Sequence, residues 1–492
     1  MDNKQKDLTE NQNLDKLLEE ALTEQPPENN VVMEITPFRK AMNLVLIGLA
    51  LSTLTLDFIY LNYILPTIGI VMMLLGFRSL RRENGGFKTC WILSIVRGIY
   101  ILPSLIINAT IWQETILESP IVKTFSYIHI GIILLLIICM GFGFSSVQKK
   151  AGLKQHTGSV IALLIWYILL FILGMIQYNG LISGIALIIT YFLIIRCLYR
   201  MASELEEAGY VIEAAPVRIS DIAVILVISF ILALGFVAAY KFFSKYPMQW
   251  TPVAESQDEE QAVKSRLITL GVPDTVAEDL TEDDLLDCTD AVRVVVYEKD
   301  LCMDQNGYIK DHDPKLHVTH VAVELPGSCE TWKIIHHFEW NVNEHFYGTE
   351  AIKLWPKATG DYGWKMEGTY SGQVLFDDED RTYASPFYSL REITFKQNSM
   401  FLGNVVDSYP FAMFSFPDNK KRYRGYVSFS IIEVREGNII DSWLDYTHQY
   451  LRFQYPVQTA IESIIDPQRV IYDDVFKLMQ SGLVFYPDKE NP

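Results

Sequence analysis

The stretch TWKIIHHFEW (Thr331–Trp340) contains the adjacent histidines His336 and His337, and His320 lies in the β-branched segment before it. Imidazole and carboxylate groups are common zinc ligands. If the two segments form a hairpin with Leu325 opposite Glu330, then His320, His337 and Glu339 share one face of the sheet. These three residues would suit a zinc ion, but no H-E-x-x-H spacing accompanies them. The sequence favours structural histidines and keeps a metal site as the alternative.

Alternate residues of an extended strand point to opposite faces, and one face of this stretch is large and apolar. That face would carry Trp332, Ile334, His336, Phe338 and Trp340. The other face is mixed in character. Because a half-buried strand has this pattern, we predict that His336 is an ordinary histidine at the edge of a core.

A charged residue stands inside an apolar segment at Arg97, in the stretch ILSIVRGIYILP. A charge within a bilayer is costly and marks either a buried partner or a pathway. Asp57 is one candidate partner, although we expect it near the outer surface, and His129 lies in the outer part of a later apolar segment. A structural ion pair is favoured, and a guanidinium that reaches water or a substrate or proton pathway are the alternatives.

The six cysteines divide evenly between the apolar block and the polar C-terminal part. Three cysteines in the C-terminal part, Cys288, Cys302 and Cys329, allow at most one intramolecular disulfide. We predict the pair Cys302–Cys329, because both residues flank the ends of predicted strands. The chain has no C-x-x-C motif, which disfavours redox and zinc-ribbon chemistry.

Several tryptophans of the C-terminal part could form a sugar-stacking surface. The candidates are Trp332, Trp340, Trp355 and Trp364. Large aromatic side chains more often fill a core, and we favour that interpretation.

The chain lacks the motifs of the common cofactor-dependent and nucleophilic enzymes. It has no phosphate-binding G-x-x-x-x-G-K-[ST] loop, no G-x-S-x-G elbow and no kinase motif set. We therefore expect no cofactor. The formal net charge of −18 disfavours nucleic acid as a partner.

The elements that position these residues begin with a long apolar block between Ala41 and Tyr240. A bilayer core requires about 17–25 apolar residues for each helix that crosses it. Seven segments meet this need, and the first two form a tight pair. They are 41–58, 61–77, 88–111, 124–146, 158–177, 181–200 and 219–240. The lipid bilayer is therefore the first expected partner.

Lysine and arginine near the ends of these segments predict the orientation in the membrane. Basic residues cluster at one set of ends, as at Arg39, Lys40, Arg78, Lys150 and Arg200. The opposite loops have few basic residues. We expect a multi-pass protein of the cell membrane with a cytoplasmic N-terminus and an extracytoplasmic C-terminal domain. The first apolar run follows an acidic stretch, so we expect no cleavable signal peptide.

Composition and periodicity divide the chain into four parts. Residues 1–38 form an acidic cytoplasmic tail that is largely disordered, and 39–245 form the membrane bundle. Residues 246–290 read as an acidic helical connector. Residues 291–492 alternate with period two and predict a β-rich α+β domain, a sandwich or an open barrel. Two later stretches, YPVQTAIESII and DDVFKLMQSGL, are predicted to be terminal helices.

This layout is similar to that of bacterial seven-span sensory proteins, which pair a helix bundle with an outer β-rich domain. It differs because the outer domain is C-terminal and no cytoplasmic catalytic module follows it. We expect a non-enzymatic membrane protein whose outer domain binds an extracytoplasmic ligand or an envelope protein. The alternative is a membrane-embedded enzyme or transporter subunit that uses Asp57, Arg97 and His129.

Overall fold

The structure is a computed structural model, and its described residues fall into two compact units. It describes residues 37–487 except 54–59, 177, 179, 213–214, 216–217, 255–256, 303–314, 342–343, 356–362, 400–402, 436–438 and 466–474. Unit 1 comprises the described residues up to Leu102 together with Thr124–Leu226. Unit 2 comprises Pro103–Lys123 and the described residues from Val227 onward.

The described part of the apolar block is helical. Its helices are α1 (Pro37–Thr53), α2 (Leu61–Leu80), α3 (Gly85–Ile107), α4 (Gln113–Glu118), α5 (Pro120–Lys150), α6 (Gly158–Met175), α7 (Leu181–Glu207) and α8 (Asp221–Phe243). Six of them, α2, α3, α5, α6, α7 and α8, are long and apolar enough to cross a membrane. Helix α1 is shorter, with 17 residues. The described residues thus contain six candidate spans where the sequence predicts about seven.

Helices α1 and α2 pack closely because glycines line their contact. A Cβ atom at Gly48 would lie 2.5 Å from the carbonyl oxygen of Gly69, and one at Gly76 would lie 2.6 Å from that of Ala41. No side chain fits at either position. Small residues permit this close helix approach, which explains the tight first pair.

Several basic residues that predict the orientation form ion pairs within unit 1. The pairs are Arg39–Glu206, Arg78–Asp221 at 3.1 Å and Lys150–Glu83 at 3.4 Å. They link α1 to α7, α2 to α8, and α5 to the turn that follows α2. These contacts position helix ends, although exposed ion pairs of this kind add little stability.

The C-terminal part of the chain folds into two antiparallel sheets with short helices. Its strands are β1 (Thr251–Pro252), β2 (Arg293–Leu301), β3 (Leu316–Leu325), β4 (Thr331–Trp340), β5 (Glu350–Trp355), β6 (Gly363–Asp378), β7 (Arg381–Pro386), β8 (Ser389–Ser399), β9 (Gly403–Phe414), β10 (Lys421–Arg435), β11 (Ile440–Gln449) and β12 (Phe476–Phe485). Its helices are α9 (Asp258–Leu270), α10 (Asp274–Asp279), α11 (Glu282–Leu286) and α12 (Ala460–Ile465). We call this assembly the β-rich domain.

Each sheet has a simple order. The larger sheet has the order β1-β7-β6-β10-β4-β3-β2, and the smaller sheet has the order β12-β11-β5-β9-β8. Apolar side chains from both sheets form one cluster that includes Phe338, Phe414 and Tyr446. A second cluster joins Leu267 and Leu285 of the short helices to Ile335 of β4. The larger sheet is therefore covered on both faces around β3 and β4.

Two local predictions about this domain are wrong. The stretch DDVFKLMQSGL is not a helix, because Phe476–Phe485 form β12 and pair along their whole length with β11. The spacing of Phe476, Met479 and Leu483 resembles a helical face, but pairing with β11 decides the structure. The β3–β4 register also differs from the prediction, since Leu325 lies opposite Thr331 instead of Glu330.

Candidate functional site

The shifted register separates the predicted zinc ligands. His320 lies opposite His336, and both are fully buried between the sheets. Their Nδ1 atoms are 2.6 Å apart. The Nε2 atom of His320 is 2.8 Å from the hydroxyl of Ser481, and that of His336 is 2.8 Å from the hydroxyl of Ser442. His336 is thus part of a four-residue polar chain deep in the core and not at its edge.

His337 and Glu339 point to the other face of the same sheet. A slip of one residue moves a strand's side chains to the opposite face, and this explains the error. His337 Nε2 lies 2.8 Å from the carboxylate of Asp279, and Glu339 pairs with Arg422 at 3.2 Å. The triad His320, His337 and Glu339 is therefore not a metal site. Among the described residues, no group of three or more His, Cys, Asp or Glu side chains could hold a metal ion.

A buried network that the sequence did not predict surrounds Asp284 of α11. The ammonium of Lys333 lies 2.7 Å from Asp284 and 2.5 Å from Asp287. Four hydroxyl groups donate hydrogen bonds to Asp284, those of Thr281, Ser371, Tyr426 and Ser428. Burial alone raises the pKa of Asp284, but Lys333 and these donors lower it to about 2. The network fastens α11 to the sheet.

In unit 1, Arg97 is buried, with only 4% of its surface exposed. Its Nη1 atom lies 3.6 Å from the Met73 sulfur, and its Nε atom has no hydrogen-bond partner among the described residues. No described carboxylate forms an ion pair with it. The proposed partner Asp57 lies outside the described residues, so that pairing stays a prediction.

Other polar side chains lie in the same unit. The ring of His129 stacks on Tyr100 with centroids 4.7 Å apart. The hydroxyl of Tyr191 donates to Thr53 over 3.0 Å, and Thr53 also contacts the hydroxyl of Tyr167. Thr53 is the last described residue before the gap that contains Asp57. Unit 1 therefore contains buried and half-buried polar side chains, among them Arg97 and His129, which the sequence also singles out.

In unit 2, the β-rich domain holds the residues that connect α3 to α5. We call residues 103–123 the junction segment, which comprises the end of α3, the connection with α4, and the start of α5. Val457 donates its N–H to the carbonyl of Asn108 over 2.8 Å, and its carbonyl accepts from the Gln113 amide over 2.7 Å. The hydroxyl of Tyr455 donates to the carbonyl of Leu105 over 3.0 Å. The segment is hydrogen-bonded near its start and again near its middle.

Apolar contacts complete this arrangement. Ile111 is buried in a cluster with Tyr246, Phe411 and Val457, and its N–H donates to the carbonyl of Phe243 over 3.0 Å. The Trp112 ring meets another aromatic ring of unit 2 edge-on. The junction segment thus belongs to the core of unit 2.

Two acidic side chains meet at the same place. Glu462 of α12 forms a side-chain hydrogen bond with Glu114 of the junction segment. Its carboxylate also accepts the N–H of Thr459 over 2.8 Å. Burial, together with the bond to Glu114, raises the pKa of Glu462 to about 8. A carboxyl–carboxyl hydrogen bond requires a proton, so this contact is sensitive to pH.

The predicted disulfide and the predicted aromatic surface differ from the structure. No disulfide joins the described cysteines, and Cys302 and Cys329 are both exposed. Trp332, Trp340 and Trp364 are buried and cannot form a binding surface, because their rings fill the space between the sheets. Trp355 is half-buried and stacks on Trp443 with centroids 5.4 Å apart.

Comparison with known proteins adds little. No protein-family model matches the chain, and no curated protein matches it. A solved structure described as "AvmM Catalyzes Macrocyclization in Alchivemycin A Biosynthesis" is 11% identical, with 33% of this chain and 83% of that chain covered and a TM-score of 0.18. A likeness at this TM-score supports no argument about fold or activity.

Proposed function

We propose that the protein is a multi-pass membrane protein whose β-rich domain binds a ligand or partner, and whose junction segment passes that event to the helices. The proposed activity is sensing or binding and not catalysis. One observation carries the proposal: Val457 uses both of its peptide groups to hold the junction segment. Since this segment is covalently continuous with α3 and α5, any displacement of it moves their ends.

The same proposal counts α1, the close-packed partner of α2, as a seventh crossing, so that the N-terminus lies in the cytoplasm and the β-rich domain outside the cell membrane. It is supported by Arg39, Arg78 and Lys150, which stand at one set of helix ends. An excess of Lys and Arg marks the cytoplasmic side of membrane proteins. In this orientation the β-rich domain faces extracytoplasmic ligands or envelope proteins.

The second candidate function is that of a membrane-embedded enzyme or transporter subunit. It is supported by Arg97, which is buried without a described carboxylate partner. Intramembrane ionisable residues often line substrate or proton pathways. Asp57 and His129 would contribute to the same pathway.

Thermal melting of the full-length protein in nanodiscs separates the two candidates. The probes are peptide, glycan and lipid fractions prepared from cell envelopes, and binding to the native state raises the melting temperature. Under the sensing proposal, at least one fraction stabilises both the parent protein and the Arg97→Met variant. Fractions that stabilise the parent and have no effect on Arg97→Met would place the binding site among the helices instead.

A further inference from the structure

An apolar segment of the β-rich domain is exposed where the chain leaves β11. We call Tyr450–Tyr455 the YLRFQY segment. Phe453 is 71% exposed, and Tyr450 and Leu451 are each 37% exposed. Single exposed apolar residues are common. Three within four residues concentrate exposed apolar surface in one short segment of the domain.

The YLRFQY segment lies against α8, a candidate membrane span. The rings of Phe453 and Tyr240 have centroids 5.2 Å apart, and those of Tyr455 and Phe236 have centroids 5.6 Å apart. The hydroxyl of Tyr240 donates to the carbonyl of Arg452. Two consecutive turns of α8 therefore contact the segment.

These contacts set the depth of the segment relative to α8. Phe236 stands seven residues before Phe243, the last residue of α8, which corresponds to about 10 Å along the helix axis. Tyr455 also bonds to Leu105, two residues before the end of α3. If α8 crosses the membrane, side chains beside Phe236 and Tyr240 lie at the level of the lipid headgroups and the adjoining acyl chains.

The chemistry of the segment suits that level. Aromatic residues concentrate where a membrane meets water, and arginine there extends towards phosphate. The Arg452 guanidinium lies 5.4 Å from the centre of the Phe453 ring and forms no ion pair with a described carboxylate. Lys241, which follows Tyr240 on α8, is a second cation and lies 5.6 Å from the ring of Phe242.

We propose that the YLRFQY segment is a second membrane contact, in which Leu451 and Phe453 enter the bilayer interface and Arg452 binds lipid phosphate. The proposal rests on the proposed function, which requires α8 to span the membrane. It adds that the β-rich domain itself touches the lipid surface. The membrane would thereby limit how the Tyr455–Val457 end of the domain can move against the junction segment.

Site-directed spin labelling of the full-length protein in nanodiscs tests the proposal. The label is placed at Phe453→Cys in a background in which the native cysteines are replaced, and its collisions with oxygen and with a water-soluble nickel chelate are compared. The matched control is Val484→Cys, since Val484 is 50% exposed. It lies nine residues after Val475, whose carbonyl accepts the N–H of Tyr450, or about 30 Å along β12.

The expected ratio of oxygen to nickel accessibility is several-fold higher at position 453 than at 484. A third label at Leu234→Cys, 59% exposed on α8, reports whether the helix is in lipid. If the label at 234 has the high oxygen-to-nickel ratio of a lipid-facing site while the ratios at 453 and 484 are equal, the membrane contact is overturned, but α8 still spans the membrane. If the nickel chelate reaches the label at 234, α8 does not span the membrane, and the membrane contact is overturned as well. Protection of 453 from both reagents means that protein covers the segment, which also overturns the proposal.

Discussion

The two units each bury a basic side chain, but the two side chains differ in the partners that surround their charge. Lys333 in the β-rich domain is 2% exposed and Arg97 in the helical unit is 4% exposed. Lys333 lies within 2.7 Å of two carboxylates. Arg97 contacts a methionine sulfur and no described carboxylate.

Burial of a charge costs several kcal/mol per ion unless partners compensate for it, as continuum and mutational results agree. The burial of Lys333 has a structural reason. Its ammonium neutralises the buried carboxylate of Asp284, and Asp284 holds α11 on the sheet. The described part of unit 1 contains no comparable reason for Arg97. Lys333 is therefore a cation that maintains the structure. The burial of Arg97 requires either a partner among the undescribed residues or a functional role.

The largest expected effect comes from Lys333→Met. Removal of the ammonium leaves Asp284 buried without its ion partner, which should reduce the free energy of unfolding by about 3–5 kcal/mol. Denaturant unfolding of the full-length protein, followed by the β signal in circular dichroism, measures this loss. Lys353→Met is the control, because Lys353 is half-buried and lies 3.8 Å from Asp445. If both variants lose the same small amount, the network does not fasten α11.

Acid should weaken the β-rich domain through the histidine pair. Burial lowers the pKa of His320 from 6.5 to about 4, and burial also holds the pKa of His336 well below its ordinary value. Because the folded state holds these groups neutral, their stabilising contribution is present above pH 6.5 and declines as the pH falls towards 4. Melting temperatures across this range test the trend. His320→Gln should flatten the slope, while His317→Gln, a change at a more exposed site, should not; equal slopes in all three proteins would refute the assignment.

A smaller effect of opposite sign is expected at the junction segment. The raised pKa of Glu462 favours the protonated folded state, so its contribution is complete below pH 4.5 and is lost as the pH rises through about 8. Glu462→Gln keeps a neutral hydrogen-bonding group and should remove this pH dependence. Melting of the parent and the variant at about pH 5 and about pH 9 provides the measurement. If the parent protein is as stable at the higher pH as at the lower pH, Glu462 and Glu114 do not share a proton in the folded state.

The smallest change is expected for Arg97→Met. Arg97 has no carboxylate partner among the described residues, so replacing this buried cation removes a desolvation cost, and stability should change by less than about 1 kcal/mol or increase. Thermal unfolding of the helices in nanodiscs tests this expectation. A loss as large as that of Lys333→Met would indicate a strong partner among the undescribed residues, and a matching loss in Asp57→Asn would identify it.

Sequence reasoning succeeded where one periodic pattern decides the structure. The stretch Thr331–Trp340 forms the predicted strand, β4, although it is buried on both faces and not half-buried as predicted, and the long apolar segments form helices. It failed at the hairpin register, because the turn between Leu325 and Thr331 sets the pairing and a one-residue shift reverses both faces. His320 consequently lies beside His336 and not beside His337.

The candidate site was less predictable than the fold. Nothing local in the sequence indicates the contact between Asp284 and Lys333, which are far apart in the chain. The bonds from Val457 to Asn108 and Gln113 join residues far apart in the chain. Such pairs depend on the strand order of the whole domain, which local periodicity does not specify.

The central claim is that the junction segment and the β-rich domain behave as one unit. Hydrogen exchange of the full-length protein in nanodiscs tests it directly, through the amides of Ile111 and Val457, which donate to Phe243 and Asn108. Amides that open together share one free energy of opening. In the Lys333→Met variant, the amides of Ile111 and Val457 should lose as much protection from exchange as the amides of β4. In the Lys353→Met variant, their protection should not change. Unchanged protection of Ile111 alongside a large loss in β4 would contradict the coupling.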